Sequence, residues 1–122
     1  MRIELLSKQP DGSLNWLEVR DIIKGGDIFA VREANEVPLG EDGRPAKLSF
    51  QKLEDDQLIA LTQRLVTGWS FQVPLPQSFS QMKGVLSDFE GRDLKKLRTE
   101  MKPLLDLVKD DSDMPEPKSG DS

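Results

Sequence analysis

Between Leu58 and Pro76 the hydrophobic period of this chain changes, and that change limits what it can fold into. Leu58, Leu61 and Leu65 recur at the spacing of one helix face, and Ile59, Thr62 and Val66 broaden it. Past Gly68 the pattern alternates instead: Trp69, Phe71, Val73 and Leu75 against Ser70, Gln72, Pro74 and Pro76. Pro74 and Pro76 hold Val73 and Leu75 out of the helical region. The stretch therefore predicts a buried helix over about 53–68, opened by the acidic turn Glu54-Asp55-Asp56. Gly68 is its natural stop, followed by an extended exit. The apolar face of that exit either packs across the core or is offered to a partner, with Leu75-Pro76 its exposed end. None of these residues has catalytic chemistry.

Upstream, residues 1–20 read as a β-hairpin. Ile3 and Leu5 alternate with Arg2 and Glu4, and Leu17 and Val19 alternate with Glu18 and Arg20. Gln9-Pro10-Asp11-Gly12 supplies the turn. Trp16 falls on the opposite face, as an aromatic anchor or a partner contact. Gly25-Gly26 breaks the chain, and Asp27 is placed to cap a short helix over about 28–35 carrying Ile28, Val31 and Ala34. The double glycine fits no phosphate-loop pattern, and Asp27 would repel a phosphate. Residues 36–49, with Pro38, Gly40, Gly43 and Pro45, form a polar loop whose Glu41/Asp42 pair lacks the ligand spacing of a calcium loop.

Downstream, 77–86 reads as a linker tethered by Phe79 and Met82. Ser87-Asp88-Phe89-Glu90 matches a capping box for a final helix over about 88–109. Leu94, Leu97, Met101, Leu104, Leu105 and Val108 make its apolar stripe, and Pro103 predicts a kink or restart. Its outer face carries Arg92, Lys95, Lys96, Arg98 and Lys102, interrupted by Asp93 and Glu100, which reads as a solvated face. Residues 110–122 are acidic and rich in Pro, Ser and Gly, too polar to offset ordering entropy, so a disordered tail is expected. The whole is an α+β chain of 122 residues. It is read as one domain over 1–109, a β-hairpin packed with two to three helices, followed by the tail.

Composition removes most chemistries. The chain has no cysteine and no histidine, which excludes disulfides, thiol nucleophiles, Cys/His zinc sites and imidazole catalysis. It has no tyrosine, and no carboxylate pair sits in an apolar setting that would raise one pKa. Catalytic, metal and cofactor sites are therefore expected to be absent. Of the net charge of −5, the tail carries −4 and the body −1, so a broad basic face for nucleic acid is not expected. The start, MRIELLSKQPDG, has no apolar signal core, and no run of about 18 apolar residues occurs, so neither export nor a membrane span is expected.

The order of these segments resembles a known family. Trp16-Leu17-Glu18-Val19-Arg20-Asp21 closes the β segment, and a polar loop follows. The Leu-rich helix then leads into Val66-Thr67-Gly68-Trp69-Ser70-Phe71 and Pro74-Leu75-Pro76. Later come Asp93-Leu94-Lys95-Lys96-Leu97, Lys102-Pro103-Leu104-Leu105 and an acidic tail. Over residues 14–109 this is similar to the small tail assembly chaperones of long-tailed bacteriophages. The resemblance implies a non-enzymatic factor in the host cytoplasm, without cofactor or metal. It would bind and solubilise the tape-measure protein during tail assembly and be absent from the virion. A longer, frameshifted form of the same chain would be a second partner. The candidate partner-binding residues are Trp16, Trp69, Phe71, Val73, Leu75 and Pro76. Two other readings stay open: a minor structural tail or head–tail connector protein, and a small DNA-associated protein using the Arg92–Lys102 face.

Overall fold

The computed structural model describes residues 1–34 and 50–112. The expected polar loop 36–49 and residues 113–122 of the expected tail lie outside them. The first 20 residues fold as the hairpin that their alternation predicts: β1 (Arg2–Lys8) and β2 (Leu14–Val19) pair antiparallel. At the turn, Gly12 sits at φ +92, a backbone that side chains rarely adopt, and its amide donates to the Gln9 carbonyl at 2.9 Å. Asp11 Oδ1 accepts from the Ser13 amide and hydroxyl, at 3.0 and 2.6 Å. Ile3, Leu5, Leu17 and Val19 all point inward and are buried. Trp16 lies on the outer face opposite Glu4, with the Arg2 guanidinium 4.1 Å from its ring centre.

Helix α1 (Gly25–Ala34) begins two residues before Asp27, so Asp27 is not the residue that caps it. Lys24 takes that place: its carbonyl accepts from the Asp27 and Ile28 amides, and the Asp27 carboxylate reaches back to its amide at 2.9 Å. Helix α2 (Phe50–Leu65) starts earlier than predicted and stops earlier as well. Glu54, Asp55 and Asp56 are therefore one turn inside the helix rather than at its start. Asp56 pairs with Lys52 at 2.9 Å and Asp55 with Arg98 at 2.6 Å. Leu58, Leu61 and Leu65 are buried, as their spacing requires.

The helix ends at Leu65, and not at Gly68, because the next residues join the sheet. Strand β3 (Val66–Trp69) adds antiparallel to β2, giving the order β1-β2-β3. The Arg20 amide donates to the Leu65 carbonyl at 2.9 Å and the Ser70 amide to the Trp16 carbonyl at 3.1 Å. β-branched Val66 and Thr67 suit a strand, and the open edge of β2 offers them ladder bonds that a helix would forgo. Gly68 lies beside the Trp16 ring, whose Cζ3 is 3.9 Å from where a Cβ would stand, an ordinary contact distance.

Segment 77–86 is not a linker. Residues Phe79–Ser87 form helix α3, capped by Ser78, whose side chain accepts from the Gln81 amide at 3.2 Å. Met82 and Leu86 are its buried face. Ser87, expected to cap the final helix, is instead the last residue of α3, and its hydroxyl donates to the Lys83 carbonyl at 2.7 Å. The last helix, α4 (Gly91–Ser112), starts three residues later than its predicted beginning, and the Glu90 carbonyl accepts from the Asp93 and Leu94 amides. It passes through Pro103 without a restart. The missing amide leaves the Thr99 carbonyl without its helical donor, on an exposed turn where water can serve it. Asp110, Asp111 and Ser112, expected in the tail, belong to this helix. Leu97, Met101, Leu104, Leu105 and Val108 join α2, α3 and the inner sheet face in one core.

Candidate partner-binding surface

The six candidate contact residues do not form one extended apolar face. Trp69 ends β3 opposite Leu17, and so shares the inner side of the sheet. Its ring meets Phe71 edge-on, with centroids 5.4 Å apart at 74°, and Phe71 meets Phe89 at 5.3 Å. The chain then bends through residues 70–73, and Trp69 Nε1 donates to the Val73 carbonyl at 2.8 Å. This bond ties the loop back on its own aromatic. Exposure runs opposite to the sequence expectation at the end of the segment: Val73 is 49 % exposed, Leu75 is half-buried and Pro76 is buried. The Trp16 ring lies on the outer sheet face beneath Arg2, not with the rings of Trp69 and Phe71. The loop is joined to β2 by polar groups. The Trp16 amide donates to Ser70 Oγ at 3.0 Å, Ser70 Oγ bonds Asn15 Oδ1 at 2.9 Å, and Asn15 Nδ2 donates to Ser7 Oγ at 2.9 Å.

Two buried carboxylates escaped the sequence reading, and both organise the chain. Asp27 is fully buried at the junction of β2, α1 and α2. It accepts from Arg20 Nη1 and Nη2 at 3.2 and 3.1 Å, from Arg64 Nε at 3.1 Å and from the Lys24 amide. Burial alone would raise its pKa, but the bonds from Arg20, the Lys24 amide and Arg64 outweigh it and hold the carboxyl below the ordinary value. Gly26 makes room for Arg64, since a Cβ there would stand 2.9 Å from Nη2. No spacing rule links residues 20, 27 and 64, and the only sequence signal was an aspartate beside a helix start.

Asp93 was read as an interruption in a basic run. It is buried, and its Oδ1 accepts from the Leu6 and Ser7 amides at 2.8 and 3.0 Å. The register slips in β1 here: three residues separate Glu4 from Lys8, while one separates Trp16 from Leu14. The bulge turns two consecutive amides to one side, and Asp93 takes both. Burial raises its pKa as well, and hydrogen bonds from Ser7 and Leu6 bring it below the ordinary value. The exposed edge of β1 is thereby closed to other strands at this point. Of the basic residues read as one solvated face, Arg92 pairs with Glu90, Lys96 with Glu100 and Lys102 with Asp106, while Arg98 turns to Asp55 of α2.

A concavity among the helices lies apart from these features. It is a groove of about 530 Å³ where α2, α3 and α4 meet. Leu58, Ile59, Leu86 and Leu94 line it with apolar atoms, and Lys52, Asp55, Asp56, Lys83, Ser87 and Arg98 line it with polar ones. A second hollow of about 270 Å³ between α2 and α4 shares Leu58 and Arg98 with it and adds Gln57, Thr99 and Leu105, with Glu54 and Asp106 set against Lys102. Among the described residues there is no cluster of three or more carboxylate, histidine or cysteine groups placed to hold a metal ion. No helix among them is long and apolar enough to cross a membrane. Compared with protein-family models, curated proteins and solved structures, the chain finds no match.

Proposed function

We propose that this chain is a non-enzymatic tail assembly chaperone of a long-tailed bacteriophage. In this reading it works in the host cytoplasm and keeps the tape-measure protein soluble while the tail is built. The observation that carries the reading is the Trp69–Val73 loop. It stands at the segment where the family resemblance is most specific. The edge-on Trp69–Phe71 contact and the Trp69–Val73 hydrogen bond preform it, and Val73 is left outward. A preformed loop loses little entropy on binding, so even a small apolar tip can contribute to capture of an apolar client.

Co-expression with the tape-measure protein encoded beside this chain tests the proposal. The client should become soluble with the wild-type chain. Val73→Asp should reduce that solubility while changing the stability of the chain by less than about 0.5 kcal/mol, as at other exposed positions. A client indifferent to the wild-type chain refutes the role. Abundant peptides of this chain in purified virions would favour a structural tail component instead.

A further inference from the structure

We infer that the outer edge of β3 is a self-association site, where a second copy of this chain adds its own β3 antiparallel about a twofold axis at Gly68. The inference goes beyond client binding and does not depend on it. The sheet order β1-β2-β3 leaves two edges. Asp93 closes the β1 edge at Leu6 and Ser7 by taking both amides. The other edge is β3 itself. The Ser70 amide donates to the Trp16 carbonyl, and Gly68 stands opposite Glu18. By the alternation of an antiparallel ladder, Ser70 and Gly68 face β2, and the N–H and C=O groups of Thr67 and Trp69 face away from it. Among the described residues no hydrogen bond reaches those outward groups. An edge of this kind accepts an extended strand.

Register and charge select a second copy as that strand. An antiparallel pair centred on Gly68 sets the Thr67 of each copy opposite the Trp69 of the other, so every outward group of both copies gains a bond. The two Gly68 residues then form the non-hydrogen-bonded pair between them, where Cα atoms come as close as about 4.5 Å, and neither brings a side chain. The Trp16 ring lies beside Gly68, its Cζ3 3.9 Å from where a Cβ would stand, so an indole from each copy flanks the axis. No Asp, Glu, Lys or Arg occurs between Arg64 and Lys83, in a chain that is 32% charged and carries a net charge of −5. Two copies of like net charge repel least where the surface is uncharged. Val66–Trp69 also lacks the charged and proline residues that block strand addition. The strand has only four residues, so the pairing is weak and depends on concentration.

Sedimentation velocity on the full chain, from about 1 μM to about 1 mM, covers the range of weak pairing and tests this. The wild-type chain should pass from monomer to dimer. The Thr67 and Trp69 amides should exchange with solvent more slowly as the dimer forms. Gly68→Lys sets two like charges against each other at the axis and should weaken association about tenfold or more. A Cβ at this position meets Trp16 at an ordinary contact distance, so the monomer keeps its fold, which far-UV circular dichroism checks. Thr67→Lys, at an exposed position beside the axis, is a second variant that should weaken association in the same direction. A wild-type chain that stays monomeric throughout would overturn the inference. So would a dimer that both variants leave intact, or one in which the Thr67 and Trp69 amides exchange as fast as in the monomer. Protection of these two amides only on addition of the tape-measure client would overturn it as well, because the client would then be the strand that fills the edge.

Discussion

Replacing Asp27 with alanine should be the most damaging single change outside the apolar core. Its carboxylate is wholly buried, and it joins the end of β2 through Arg20, the start of α1 through the Lys24 amide and the end of α2 through Arg64. Breaking a buried pair by removing one partner costs roughly 3–5 kcal/mol when the surviving charge stays buried. Here the survivors are partly hydrated already, Arg20 at 31 % and Arg64 at 43 % side-chain exposure. Water can therefore recover part of the loss, and about 2–3 kcal/mol is expected. For a folded region of this size that corresponds to a fall of roughly 10–20 °C in Tm. Thermal and urea unfolding, followed by tryptophan fluorescence at pH 7, measures it.

The pH dependence makes the prediction specific to the charge. The folded pKa of Asp27 lies below its ordinary value of 3.8, so folding favours the ionised form. Its electrostatic contribution is complete above the unfolded value and is lost as pH falls through the folded one. The difference between wild type and Asp27→Asn should therefore be constant from pH 7 down to about pH 5 and shrink at lower pH. An Asp27→Ala chain within about 0.5 kcal/mol of wild type at pH 7 would refute the reasoning. So would an Asp27→Asn difference as large in strong acid as at neutrality.

Three further outcomes are expected. Asp93→Ala strands the Leu6 and Ser7 amides and reopens the β1 edge, so it should cost about 1–3 kcal/mol and promote concentration-dependent association, visible by sedimentation. Thr62 is buried, and its hydroxyl has no hydrogen-bond partner among the described residues, so Thr62→Val should be neutral or stabilising by up to about 1 kcal/mol in urea unfolding; a loss of more than about 1 kcal/mol would expose a missing bond. Ser78→Ala should cost about 1 kcal/mol as a lost helix cap, and Ser87→Ala clearly less; the reverse order would restore the capping role that the sequence assigned to Ser87.

Sequence alone determined the elements whose signal is local. The hairpin was legible because alternation and turn chemistry act within a few residues, and Gly12 supplied the one left-handed backbone the turn needed. The faces of α2 and α4 were legible because Leu58, Leu61 and Leu65, and Leu97, Met101 and Leu104, repeat with the helical period. The α+β class follows from those two patterns together. Tertiary structure decided everything that depends on a partner distant in the chain. Val66–Trp69 continues the apolar pattern of α2, and only the free edge of β2 makes a strand the better outcome. Helix α3 hides in a segment rich in polar residues, and burial of Met82 and Leu86 against the core selects it over a linker. In the sequence Asp27 reads as a helix cap and Asp93 as a break in a basic run. They became buried joints because donors 37 and 87 residues away converge on them, and a hydrogen bond between distant residues leaves no periodic trace in either segment. The Trp69–Pro76 face was divided for the same reason: ring contacts with Phe89 and a bond to the Val73 carbonyl bent it, leaving Val73 outside and Pro76 within.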